Sequence, residues 1–325
     1  MRRGLKYTVI SLLGGVVLLL LWGMGIEPRF IDEVEAVAYI PGLPAAWEGQ
    51  RVALIADLQV GMWLGNTDTV RRIVRRLVAR PPALVLIAGD FIYHPIGEQT
   101  TEEAREEVEP DDYAEALALI RRAVGLVQPL PDAGMPTYAV FGNHDYGIGW
   151  PGEVRQTWVA RALEHALTAA RVHVLDNTAV PLRPPEPPDR PSASGSQGLP
   201  LYLVGIGSHL ARHDKPLRAL AQVPAEAPRL VVMHHPESFA VFPAGTAPLA
   251  LAAHTHGGQV RLPWTPEWSW MTYMKGEKVH ADGWIHGYGQ PGNHLYVNRG
   301  IGFSRLPIRI NCSPEVTFFT LRRQS

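Results

Sequence analysis

Five times along this chain a short, nearly continuous apolar run stops abruptly on a carboxylate, an amide or a histidine. The runs are RVALIAD (Arg51 to Asp57), ALVLIAGD (Ala83 to Asp90), PTYAVFGNHD (Pro136 to Asp145), RLVVMHH (Arg229 to His235) and PLALAAHTH (Pro248 to His256). Runs this short and this rich in aliphatic residues read as strands buried on both faces, which demands covering layers on each side of a sheet. Between the first two, Val70, Ile73, Val74, Leu77 and Val78 recur at helical spacing, and Arg71, Arg72, Arg75, Arg76 and Arg80 mostly cover the other face as a solvated surface. Further strands are expected at LYLVGIGS, HLYVNRG and VTFFTLR, and a second helix at Glu153 to Ala170. The alternation predicts an α/β fold, and no repeat of fixed period interrupts it.

A different constraint acts at the N-terminus. Tyr7 to Ile26 carries no charge, and at about 1.5 Å per helical residue it spans roughly 30 Å, the thickness of a bilayer core. Arg2, Arg3 and Lys6 precede it, while Glu27, Asp32, Glu33 and Glu35 outnumber Arg29 after it. The basic flank should stay cytoplasmic, leaving the rest of the chain outside. A cleaved secretory signal is the competing reading, but the stretch is long for one and no A-x-A-like site follows. Arg2-Arg3 also loosely resembles a twin-arginine export signal. The expected division is a basic tail at 1–6, a single-pass anchor at 7–26, a connector with a first strand at 27–49, and one large domain at 50–325. Within it, Glu98 to Asp112 reads as a solvated acidic insertion and the proline-rich Pro181 to Pro200 as an exposed loop.

Composition narrows the chemistry. With 30 Lys plus Arg against 31 Asp plus Glu the net charge is -1, so nothing favours nucleic acid as a partner. Cys312 is the only cysteine, which excludes an intrachain disulfide and a Cys-rich zinc site, so any metal must be held by His, Asp, Asn or Glu. The strand-end residues supply that set: Asp57 and Gln59, Asp90, Asn143-His144-Asp145, His234-His235 and His254-Thr255-His256. In an α/β sheet such ends converge on one crevice. A lone histidine after a strand is usually structural, but that reading does not explain all five clusters together. Carboxylates, an amide oxygen and imidazoles suit Mn, Fe, Zn or Mg. Two such cations about 3.5 to 4 Å apart are suited to phosphoester hydrolysis, by attack on phosphorus from a water activated between them.

The ordered series DLQ, GD, GNHD, HH, HTHGGQ resembles the calcineurin-like metallophosphoesterase superfamily, whose pattern is DxH, GD, GNH(D/E), H and GHxH. The resemblance covers roughly Gln50 to Arg322 and implies a four-layer αββα sandwich with two divalent metal ions. It implies that Asp57 and His256 bind the first metal, that Asp90 bridges both, and that Asn143, His234 and His254 bind the second. His144 would lie by the departing oxygen as general acid or charge-stabilising donor, held by Asp145. MHHPE resembles the family's AHNPD form, which selects His234 as the ligand and leaves His235 as a supporting or substrate contact. Gln59 departs from the pattern, which has His there. An amide oxygen is a weaker donor than imidazole, and DxQ forms resemble manganese-dependent diphosphatases, which favours manganese and a pyrophosphate bond.

The anchor, the HTHGGQ form and the closing LYVNRGIG and PIRINCSPEVTFFTL are similar to a membrane-associated bacterial branch. Its members include hydrolases of UDP-2,3-diacylglucosamine in lipid A synthesis and exported phosphoesterases. The expected function is hydrolysis of a phosphodiester or pyrophosphate bond in a lipid-linked or cell-envelope substrate. Two alternatives stand beside it, a general exported phosphodiesterase or phosphomonoesterase and a non-catalytic membrane-tethered scaffold. Trp264, Trp268 and Trp270 crowd the segment after the last histidines, either as a packed hairpin cover or as an apolar rim for a lipid chain or the bilayer interface.

Overall fold

The computed structural model describes residues 2–93, 110–149, 153–184, 198–262 and 281–324. Trp264, Trp268 and Trp270 lie outside the described residues, as do most of the acidic insertion and the middle of the proline-rich loop. In chain order the elements are helix α1 (Arg2–Leu21), β1 (Asp32–Pro41), β2 (Arg51–Ile55), α2 (Thr67–Ala79), β3 (Leu84–Ile87), α3 (Pro110–Val127), α4 (Pro129–Asp132), β4 (Thr137–Ala139) and α5 (Thr157–Ala169). They continue with β5 (His173–Val174), β6 (Thr178–Pro181), β7 (Tyr202–Gly205), α6 (Pro216–Leu220), β8 (Arg229–Val232), β9 (Ala250–Ala252), β10 (Gly283–Ile285), β11 (Leu295–Val297) and β12 (Glu315–Gln324).

The strands form two six-stranded sheets, ordered β1-β12-β2-β3-β4-β5 and β10-β11-β9-β8-β7-β6. The strands that carry the site, β2, β3 and β4 in one sheet and β8 and β9 in the other, run parallel within their sheet. Strand alternation explains why their sequences are apolar throughout. Val52, Leu54, Leu84 and Leu86 point into a core shared with Leu203, Leu230, Val232 and Leu251 of the facing sheet. Their neighbours Ala53, Ile55, Val85 and Ile87 point the other way, against Val70, Ile73, Val74 and Leu77 of α2 and Leu163 and Leu167 of α5. Behind the second sheet, Val204, Val231 and Ala250 pack on Ala219 of α6 and on Phe239 and Phe242. The result is the four-layer αββα order, with α1 preceding it.

Three expectations change in detail. Val78 is exposed, and the arginine face of α2 is not merely solvated: Arg76 and Arg80 both pair with Glu33 of β1 at 2.7 Å, and Arg72 donates to the Arg29 carbonyl. The helix thus holds the chain that arrives from α1. The run from Pro136 to Asp145 forms only a three-residue strand, because from Phe141 onward the backbone turns away to build the site. Leu86 is fully buried between the sheets. Leu86→Ala should lower unfolding stability by about 2–5 kcal/mol, checked by denaturant titration of the detergent-solubilised protein.

Candidate metal centre

Three of the strands that enter the centre, β2, β3 and β9, run into residues forced into left-handed backbone geometry. Asp57 (φ 52°), Gln59 (φ 48°), Asp90 (φ 55°), His254 (φ 71°) and His256 (φ 50°) all adopt it. Such a conformation costs a non-glycine residue on the order of 1–3 kcal/mol, and it persists only where the surroundings enforce it. Here it turns the side chains off the strand ends into one crevice between the sheets. Two neighbouring glycines make room: a Cβ on Gly300 would collide with the Asp57 carboxylate, and one on Gly142 with that of Asp90.

The ligand-capable atoms fall into two groups, each with all members within 4.8 Å of one another: Asp57, Asp90 and His256, and His234, His235 and His254. The groups adjoin, since His234 Nε2 lies 3.1 Å from Asp90 Oδ2 and 3.2 Å from His254 Nδ1. His234 Nδ1 donates to the Ala88 carbonyl at 2.6 Å, which orients Nε2 toward the crevice. His235 is oriented the opposite way, because its Nδ1 accepts the His209 N–H at 3.3 Å and its neutral ring therefore carries the proton on Nε2. Asn143 donates Nδ2–H to the Ile148 carbonyl at 2.6 Å and so offers Oδ1. Gln59 donates Nε2–H to Asp90 Oδ2 at 2.9 Å and keeps Oε1 for other use.

Whether these residues suit divalent metal is tested by what they lack. Both Asp57 oxygens, Gln59 Oε1, Asn143 Oδ1 and His256 Nδ1 are buried with no hydrogen-bond partner among the described residues. Buried polar atoms without partners cost free energy, and a carboxylate costs most. The titration behaviour agrees. Burial, reinforced by the Asp90 charge, pushes Asp57 up to about 7. Burial works against a charged His234, yet the adjacent Asp90 and Asp57 carry it up to about 9. Burial and the Arg309 charge bring His256 down to about 3. Acceptor atoms facing one another in a dry pocket need positive charge among them, and divalent cations fit this donor set.

The structure brings together Asp57, Gln59, Asp90, Asn143, His144, His234, His235, His254 and His256. One expectation needs correction. Asp145 does not hold the His144 imidazole; its carboxylate accepts backbone N–H groups of Asp90 and Phe91 (2.8 Å each), Gly142 (2.9 Å) and Ile92 (3.4 Å). It therefore clamps the GD and GNHD loops to each other. The His144 ring instead stacks on Tyr93 at 4.8 Å, its backbone N–H donates to Asp90 Oδ1, and burial lowers its pKa. Sequence reasoning also missed Arg309. Fully buried, its guanidinium donates to the carbonyls of His256, Arg299, Gly300, Gly302 and Cys312, bracing the turn below His256. Its only trace in the sequence was its place inside PIRINCSPE.

With this geometry in view, comparison with known proteins is informative. The sequence pattern of the calcineurin-like phosphoesterase family matches residues 50–258. The chain belongs to that family. Escherichia coli phosphodiesterase YaeI is 32% identical over 60% of this chain and 62% of its own length, so less than two thirds of that relative is covered. The uncharacterized metallophosphoesterase YkuE of Bacillus subtilis is 24% identical over 91% of this chain and 87% of its own. UDP-2,3-diacylglucosamine pyrophosphatase LpxG of Chlamydia trachomatis is 21% identical over 96% of each. The chain is thus a hydrolase of the phosphoesterase class, with Asp and His groups positioned for the dinuclear centre of its family. Because the Asp145 carboxylate receives buried amides, Asp145→Asn should cost about 1–3 kcal/mol of stability as well as activity. An unchanged thermal midpoint would show that clamping is not its role.

Proposed function

We propose that this protein is a membrane-anchored dinuclear metallophosphohydrolase that cleaves a phosphodiester or pyrophosphate bond in a lipid-linked or cell-envelope substrate. The observation that carries the reading is the pair of adjoining Asp/His groups, together with the buried, unpartnered oxygens of Asp57, Gln59 and Asn143. Asp57, Gln59, Asp90 and His256 would hold one cation, and Asn143, His234 and His254 the other, with Asp90 shared. Two divalent cations in such a site supply Lewis acidity and activate water for attack on phosphorus.

The chain's own residues do the rest. Gln59 Nε2–H donates to Asp90 Oδ2 and the His144 amide to Oδ1, which fixes the orientation of the carboxylate that both cations would share. His235 directs Nε2–H at the crevice as a donor to a phosphoryl oxygen. His144, fixed by Tyr93, supplies a hydrogen bond or proton to the leaving oxygen. Gln59 in place of an imidazole favours manganese over zinc. The similarity to LpxG and YaeI supports a pyrophosphate or diester bond, and a UDP-2,3-diacylglucosamine-like substrate is one candidate. The basic residues Arg2, Arg3 and Lys6 at the start of α1 favour a catalytic domain outside the cytoplasm, which favours cell-envelope phosphoesters over a cytoplasmic nucleotide-lipid. A non-catalytic scaffold is disfavoured by the backbone strain and the unpaired Asp57 carboxylate, which would serve no purpose without metal.

Asp90→Asn should abolish manganese-dependent hydrolysis of a chromogenic phosphodiester and reduce bound metal in elemental analysis. Gln59→His should keep activity while shifting its metal preference toward zinc. Full turnover by the Asp90 variant would overturn the dinuclear assignment. A screen of nucleotide-lipid, lipid phosphate and soluble diester would separate the substrate classes.

A further inference from the structure

The helix α1 is exposed along its whole described length from Leu5 to Leu21, and the apolar span extends from Leu5 to Arg29. An apolar helix of this length with its side chains exposed matches the span of a bilayer core. Its far end behaves in the opposite way. Gly23 is buried, its carbonyl accepts the Arg309 N–H at 2.9 Å, and a Cβ there would strike Ile310 at 2.7 Å and Ile308 at 2.9 Å. The Glu27 carboxylate, 4% exposed, accepts the Cys312 N–H and the Trp22 indole N–H. The Pro28 carbonyl accepts Asn66 Nδ2–H at 2.9 Å and Thr69 Oγ1–H at 3.0 Å. No loose linker separates anchor from domain, so the bilayer surface lies at a fixed place on the protein.

Two loops border that place. The loop between Gly61 and Asn66 is tied to it by the Asn66–Pro28 bond, and it exposes Trp63 (55%) and Leu64 (66%, φ 52°). The loop at 304–308 is tied to it through Ile308, and it exposes Leu306 (60%). Trp22 and Phe30, rings 5.8 Å apart and both partly exposed, complete the ring. Large apolar side chains beside the exit of a membrane helix match the aromatic and aliphatic belt of the bilayer interface. The same loops touch the centre: the first follows Gln59, and the second is pinned by Gln259, which donates to the Leu306 and Ile308 carbonyls three residues after His256.

We propose that Trp63, Leu64 and Leu306, together with Trp22 and Phe30, form a docking face that rests in the headgroup region of the bilayer holding α1. This rests on the reading of α1 as a membrane span. The metal centre is then held at a set height over the lipid surface, where a phosphoester whose acyl chains remain in the membrane can reach it. Arg309 is the connecting strut, with its backbone on Gly23 and its guanidinium on the carbonyls of His256 and Gly300.

The test uses the full chain reconstituted in phosphatidylcholine–phosphatidylglycerol vesicles. Leu64→Cys, Leu306→Cys and, as a control on α6, Leu217→Cys each carry an environment-sensitive fluorophore; Cys312 is buried, and the parent protein sets the labelling background. A lipid nitroxide just below the headgroups should quench the probes at positions 64 and 306 several-fold more than the probe at 217. Equal quenching at all three positions overturns the face while leaving the anchor and the metal reading intact. Release of the protein by alkaline carbonate overturns both anchor and face. The combined variant Trp63→Ser, Leu64→Ser, Leu306→Ser should lose turnover of a vesicle-borne phospholipid ester several-fold and keep turnover of a soluble chromogenic diester. Parallel loss of both, or of neither, would also overturn it.

Discussion

Asp57 and Asp90 lie side by side in a dry crevice, and Asp57 finds no donor there to answer its charge. Much of the architecture exists to tolerate that arrangement. Left-handed backbone at the strand ends aims the carboxylates inward, and glycines at 142 and 300 remove the atoms that would collide with them. Asp145 and Arg309 then lock the loops from below by binding backbone rather than the metals. Local instability of this kind is tolerable only because three apolar layers hold the strands that present it.

Much of this was legible in the sequence. Strands buried on both faces leave an unbroken apolar signature, so β2, β3, β8 and β9 and their terminal polar residues stood out, and the spacing of Val70 to Leu77 exposed α2. The family resemblance then ordered Asp57, Asp90, Asn143, His234, His254 and His256 into one centre. What escaped had no periodic signal. The two- to four-residue strands β5, β6 and β10 at or near the sheet edges are too short to show alternation. Asp145 looked like a partner for its neighbour in sequence, because a carboxylate beside a histidine gives no hint that its oxygens point at amides fifty residues away. Arg309 carried a charge that pattern reading assigns to a surface, whereas five carbonyls pay for its burial.

The two adjacent histidines show how hydrogen bonding divides labour between similar groups. His234 gives its Nδ1 proton to Ala88, which leaves Nε2 as the atom a cation would take in exchange for a proton, while His235 receives a backbone N–H on Nδ1 and must carry its own proton outward. Residue type alone could not separate them. Their different neighbours make one a metal-type donor and the other a hydrogen-bond donor.

The sheet order has a further meaning for biogenesis. β12 is inserted between β1 and β2, pairing in parallel with β1 from Asp32–Glu315 to Pro41–Gln324 and antiparallel with β2. The first strand therefore finds its permanent neighbour only after nearly all the intervening chain has been synthesised. Synthesis leaves β1 unpaired for most of elongation, when a bare sheet edge invites mispairing. The acidic residues Asp32, Glu33 and Glu35 at its start make that waiting strand repel copies of itself, so one end of the nascent polypeptide stays soluble until the other arrives.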